Sequence, residues 1–137
     1  MRRPALAKSR KRPEMRKTQT HKAVVTYLSA KPGAEAGYPF GPSTLVFKVG
    51  GKMFALLGED SETETVNLKC IPDEALALRA AHKAIAPGYH MDKRHWNTLT
   101  RDGSLPDDLV HELIDQSYAL VLRGLPKAVR EKLRSDS

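Results

Sequence analysis

Cys70 is the chain's one cysteine, so no internal disulfide can staple the fold, and stability must come from a packed core. A lone thiol also fits a reducing compartment. Long apolar runs are missing too. None approaches the roughly 18 residues that a membrane-spanning helix needs. The basic N-terminus is followed by no apolar stretch of the kind a secretory signal carries. The expectation is a soluble, cytoplasmic protein with no membrane partner. Aromatics make up only 6% of the 137 residues, with a single tryptophan, Trp96.

A basic domain is absent as well, although the net charge is +7. Residues 1–17, MRRPALAKSRKRPEMRK, hold eight of the 23 cations and one of the 16 acids, which leaves 15 of each for the rest. The high isoelectric point is a property of the tail. With two prolines and mutually repelling charges, that tail is expected to be flexible or weakly helical. Arg10, Lys11 and Arg12 in it suit non-specific phosphate contacts with strong salt dependence. The expected organisation is a basic tail over 1–17 and one α+β domain over 18–137, long enough for a real core.

A first helix is expected from Thr18 or Thr20 to Ser29, with Val24, Val25 and Leu28 on one stripe. KPGAEAGYPFGP then reads as a loop. In STLVFKVGGKMFALLG, two strand-like runs flank Gly50-Gly51, a two-residue hairpin turn. Simple pairing across it sets Val49 against Lys52, Phe47 against Phe54 and Leu45 against Leu56. Leu45, Phe47, Val49, Phe54 and Leu56 then face the core, and Thr44, Val46, Lys48, Met53, Ala55 and Leu57 the other side. TETVNLKC alternates as a third strand. Pro72 opens a helix whose packing surface is assigned to Leu76, Leu78, Ala80 and Ala81. Trp96, Thr98 and Thr100 alternate with His95, Asn97 and Leu99 in a fourth strand. Ser104 with Asp107 resembles a capping box for a helix over about Leu105–Leu122, striped by Leu109, Val110, Leu113, Ile114, Ser117, Leu120 and Val121. Pro126 opens a short last helix. The order α-β-β-β-α-β-α-α implies two layers, an antiparallel sheet with helices packed on one face.

YPFGPSTLVFKVGGKMFALL, VNLKC, APGYHMDKRHWNTL, DGSLPDDL and LIDQSYALVL occur together in this order. The set resembles the MmcQ/YjbR family of small bacterial proteins across roughly residues 18–123. That resemblance implies a two-layer α+β fold similar to frataxin, described as a double wing, and a DNA-binding role. The chain departs from the family pattern in its basic extension and in Ile71, where a polar cap before the proline is common. Frataxin-like iron handling would need an acidic ridge on the first helix. Thr18–Ser29 offers His21 and Lys22 and no acid.

His82, His90 and His95 match no zinc spacing and have no cysteine or carboxylate set to complete them. Ser117 lies on a packing stripe and not at a nucleophile elbow. Cys70 alternates with core residues, and Gly50-Gly51 is a turn and not a phosphate loop. No enzyme activity, metal or cofactor is expected. For DNA, the expected contacts are Lys48, Lys93, Arg94 and Arg101 with the tail cations. Lys83 belongs to the same basic segment as Lys93, Arg94 and Arg101, and Lys48, Lys52 and Lys69 on the sheet extend that edge. All would act as phosphate contacts, because no helix rich in Arg, Asn or Gln is present to read bases. The competing expectation is a protein-interaction or small-ligand module, with a pocket lined by Tyr38, Phe40, Tyr89, His90, His95 and Trp96.

Overall fold

The structure, a computed structural model, describes residues 12–59, 64–89 and 91–136. Their order is α1 (Arg12–Ser29), β1 (Glu35–Gly37), β2 (Thr44–Val49), β3 (Lys52–Gly58), β4 (Thr65–Lys69), α2 (Pro72–Ala81), β5 (Ile85–Pro87), β6 (Trp96–Thr100), α3 (Asp107–Arg123) and α4 (Lys127–Asp136). Among the described residues the strands form one antiparallel sheet in the order β1-β2-β3-β4-β6-β5. Helices cover one face. Val24 and Leu28 of α1 meet Val110, Leu113, Ile114 and Val121 of α3 over Phe47, Phe54, Leu57, Val66 and Leu99. The α+β, two-layer expectation holds.

Several elements differ from the sequence reading. α1 begins at Arg12, well before Thr18, which brings Glu14 into the helix. β1 and β5 are three-residue strands inside segments expected to be loops. Each is too short to show an alternation, and each is defined by its partner, β2 or β6. Leu76 is 60% exposed, and Ala75 is the residue of α2 that is buried. Ser104 does not cap α3. Its amide and hydroxyl both donate to Asp102 Oδ1, at 2.9 and 2.7 Å, and the helix begins after Pro106. Asp107 and Asp108 in its first turn suit the helix dipole.

The hairpin turn is as expected. Gly50 and Gly51 have φ of +58° and +83°, the left-handed pair that a two-residue turn between twisted strands demands. A side chain at Gly50 would also stand 2.6 Å from Leu125 Cδ1. The pairing then shifts. Val49 pairs Lys52 and Lys48 pairs Met53, but Phe47 pairs Ala55, Val46 pairs Leu56 and Leu45 pairs Leu57. Phe54 is the extra residue of a β-bulge. A one-residue shift reverses the facing of everything beyond it. Ala55 and Leu57 therefore join the core, and Leu56 goes to the opposite face beside Val46, Met53 and Trp96. The simple-pairing assignment of Leu56 to the core is corrected, as is that of Ala55 and Leu57 to the outer face.

The bulge ends the β3–β4 ladder at Ala55–Leu68. Ser117 of α3 closes the gap. Its hydroxyl donates to the Phe54 carbonyl at 2.6 Å and accepts from the Lys69 amide at 2.9 Å. A buried backbone group left without a partner costs about 1–3 kcal/mol. Ser117→Ala removes the partner of two, and is expected to cost about 2–4 kcal/mol in urea denaturation, against less than about 1 kcal/mol for Ala119→Ser on the exposed side of α3.

α1 is held to α3 at a second point. The Tyr27 hydroxyl donates to Asp115 Oδ1 at 2.7 Å, and Lys31 pairs with the same oxygen. Burial pushes the Asp115 carboxyl up, but the hydrogen bonds from Lys31 and Tyr27 outweigh it and hold the group below its ordinary value. A carboxylate lowered on folding stabilises above its unfolded value, about pH 4, and the contribution is lost as pH falls through the folded value. Asp115→Asn is expected to flatten the stability-versus-pH curve below about pH 4, measured as the midpoint of denaturation.

Candidate binding cleft on the open sheet face

The sheet face without helices is not a plain solvated surface. Val46, Leu56 and Trp96 are buried on it, with Met53 and Met91 packed against them. The cover is the β5–β6 loop. Gly88 donates to the Trp96 carbonyl at 2.8 Å, and the Tyr89 amide donates to Thr98 Oγ1 at 2.9 Å. A Cβ on Gly88 would lie 2.7 Å from Trp96 Cβ, so the close approach needs glycine. Farther along, Asp92 accepts from the Arg94 amide at 3.0 Å and from His95 Nδ1 at 2.8 Å. The His95 bond chiefly, with the Arg94 amide, holds the Asp92 carboxyl below the usual carboxylate range. From the helix side, Arg79 donates through Nε to Asn97 Oδ1 at 2.7 Å and through Nη2 to the Lys93 carbonyl. Asn97 is itself buried and donates to the Ala75 carbonyl at 3.4 Å.

The facing wall is the β1–β2 loop. The Tyr38 hydroxyl donates to Glu59 Oε1 at 2.8 Å, and the Glu59 amide donates to the Ser43 carbonyl at 2.9 Å. Phe40 on this loop is 65% exposed, and Tyr89 on the β5–β6 loop is 69% exposed. Between them lies a cleft of ≈790 Å³, floored by Met53, Leu56 and Asn67 and rimmed by Met91 and Asp92. That volume falls within the range of small-molecule sites. Asp92 is the charged residue lining it among the described residues.

The expected site residues divide accordingly. Phe40 and Tyr89 line the cleft. Tyr38 turns to Glu59 and borders a neighbouring hollow with Lys48. Trp96 is 9% exposed and lies under the loop, and His95 is engaged with Asp92. His90 lies outside the described residues, as do Arg10 and Lys11; Arg12 is the first residue of α1. Met53, Leu56, Asn67, Met91 and Asp92 were not anticipated. The bulge that turns Leu56 outward leaves no mark in the alternation.

The expected phosphate contacts fare unevenly. Lys48 and Lys69 share the open face in one row, with Met53 between them. Arg94 is exposed. Lys93 is exposed and its ammonium donates to the Gly88 carbonyl at 3.2 Å. Arg101 is the correction: it is 3% exposed, its Nη2 donating to Glu64 Oε1 at 3.0 Å and lying 2.7 Å from His21 Nδ1. His21 Nε2 donates to Glu59 Oε2 at 3.0 Å. Burial lowers the Arg101 pKa, with Glu64 opposing. Arg101 is a structural cation that ties β6 to α1 and to the strand ends.

A YjbR family model matches residues 29–120. The chain belongs to the YjbR family. It is 35% identical over 120 residues to the uncharacterized protein YbdF of Escherichia coli O157:H7, covering 88% of this chain and 98% of that one. With the uncharacterized protein YjbR of Escherichia coli strain K12 it shares 36% identity over 110 residues, 80% and 93% of the two chains. A crystal structure of a Deinococcus radiodurans protein with a DUF419 domain superposes with a TM-score of 0.78 at 39% identity, covering 82% of this chain and 86% of that one. A crystal structure from Pseudomonas syringae gives 0.65 at 28% identity, covering 73% and 97%. Among the described residues of this YjbR-family chain, no helix is long and apolar enough to cross a membrane.

Because Arg101 is buried and its partner Glu64 only partly so, Arg101→Gln is expected to cost about 1–3 kcal/mol in denaturant unfolding, while Arg94→Gln stays within about 0.5 kcal/mol. An exposed, phosphate-contacting Arg101 would match Arg94, with little loss of stability in either variant.

Proposed function

We propose that this YjbR-family protein is a binding module, not an enzyme, and that its open sheet face takes up a small flat ligand between Phe40 and Tyr89. The observation that carries this reading is that two large exposed aromatics, Phe40 and Tyr89, line one cleft with Met53 and Leu56. Aromatic side chains that line a cleft bury large apolar area on a ligand and recognise planar π systems by stacking. The Asn67 side chain, which accepts from Thr98 Oγ1, and the Thr44 and Thr65 hydroxyls offer hydrogen bonds to such a ligand's edge. The charged Asp92 carboxylate at the rim disfavours an anion in the cleft and suits a neutral or cationic ring.

Phosphate contact to DNA is the second reading, and one observation favours it. Lys48 and Lys69 stand together at the hairpin end of the same face, beyond the cleft, so a single strand stacking a base in the cleft has cations for its backbone. Lys93 and Arg94 would add contacts at the other side, and Arg10, Lys11 and Arg12 a sequence-independent grip.

Trp96 packs on Met53 and Met91, which both line the cleft, so the intrinsic fluorescence of the single tryptophan reports occupancy. Titration with flat heteroaromatic compounds is expected to give a saturable change, weakened about tenfold or more by Tyr89→Ala or Phe40→Ala and little altered by salt. A response untouched by both substitutions rejects the cleft. For the DNA reading, single-stranded oligonucleotide affinity is expected to fall steeply with salt. The fall should persist when Arg10, Lys11 and Arg12 are replaced by glutamine and shrink in Lys48→Gln. A slope that vanishes with the tail cations alone assigns the binding to the tail.

A further inference from the structure

A groove lies on the helix side, away from the open-face cleft. Beyond Leu120 the chain carries Arg123, Lys127, Arg130, Lys132 and Arg134 against Glu131 and Asp136. The turn after α3 is tight: Gly124 donates to the Leu120 carbonyl at 3.3 Å and Leu125 to that of Leu122 at 3.1 Å, before Pro126 starts α4. Leu133, near the far end of α4, packs over Gly33. Between the two helices lies a groove of ≈440 Å³. α3 presents Ala119, Leu122 and Arg123 to it, and α4 presents Arg130, Leu133 and Arg134. Both sets follow the i, i+3, i+4 spacing of a single helix face. Tyr118, whose hydroxyl donates to the Pro32 carbonyl at 2.6 Å, forms its floor.

The groove is therefore apolar at its base and bordered by three guanidinium groups. Among the described residues none of the three is ion-paired; the nearby acids Asp115 and Glu131 are engaged by Lys31 and Lys127. Arg130 Nε is buried with no hydrogen-bond partner among the described residues. Three guanidinium groups around one apolar groove repel one another, and a carboxylate among them relieves that repulsion while accepting paired N–H bonds. The size suits a small molecule and is too small for a docked helix.

We infer that the α3–α4 groove binds an amphiphilic carboxylate: a medium-chain aliphatic acid with its tail on Tyr118, Leu122 and Leu133 and its carboxylate at Arg130, Arg123 and Arg134. This site is independent of the open-face cleft and uses none of its residues.

The test is an amide NMR titration of the full chain with sodium decanoate below its micellar concentration. Saturable shifts are expected in Ala119–Arg123 and Arg130–Arg134. Decanol is expected to bind about tenfold or more weakly, and Arg130→Gln to weaken decanoate by about tenfold. Arg123→Gln, at an exposed position, gives a second variant that preserves the fold and should also weaken binding. Equal affinity for decanol and decanoate would overturn the inference. So would shifts centred on Phe40 and Tyr89, or acetate saturating the same amides as tightly as decanoate.

Discussion

One hydroxyl decides which way half of the central strand faces. Ser117 reaches from α3 into the gap that the bulge opens between β3 and β4, and replaces the backbone hydrogen bond that Phe54 and Lys69 no longer exchange. Without that replacement a buried carbonyl and a buried amide would lack partners, and buried backbone groups are nearly always paired. With it, β3 carries an extra residue, and the register beyond the bulge is fixed so that Leu57 enters the core and Leu56 leaves it. The cleft floor follows directly. Leu56 and Met53 lie on the open face because Phe54 lies between them as the extra residue, and the core-facing row gains Ala55 and Leu57.

The broad architecture was legible because it rests on patterns with several residues behind them: the Gly50-Gly51 turn, the Val66–Leu68–Cys70 alternation, the long stripe of α3. What was not legible rests on single residues or on partners far away in the chain. A bulge changes no composition. β1 and β5 exist only because β2 and β6 present open edges to them. The alternation within KMFALL is apolar on both faces, so it favoured the wrong register as readily as the right one. Ser117 was visible as a polar residue on an apolar stripe, and its partners, Phe54 and Lys69, lie 63 and 48 positions away.

Charge was legible as a sum and not as a distribution. Arg101 counted as one more cation in a basic segment, yet it is enclosed by Glu64 and His21, from elements that composition alone cannot bring together. The reverse holds at the C-terminus. The cations of α3 and α4 are balanced in a formally neutral composition, yet three of them gather around one groove. Asp107, Asp108, Glu112 and Asp115 lie in the first part of α3, and Arg123 with the α4 cations at its far end. Neutral composition here hides a separation of charge along the helix layer.

The two walls of the open-face cleft are supported from different parts of the molecule. Tyr89 stands on a loop fastened to β6 and, through Arg79 and Asn97, to α2. Of these groups Asn97 is buried, while the Tyr89–Thr98 and Arg79–Lys93 bonds are exposed. Phe40 stands on a loop fastened through Tyr38 to Glu59, and Glu59 in turn accepts from His21 of α1. The Tyr38–Glu59 bond is exposed and the His21–Glu59 contact is part-buried. Arg101 bonds to the same His21 and to Glu64. The residue that looked like a phosphate contact thus supports the Phe40 wall at one remove, and the geometry of the cleft depends on α1 being seated.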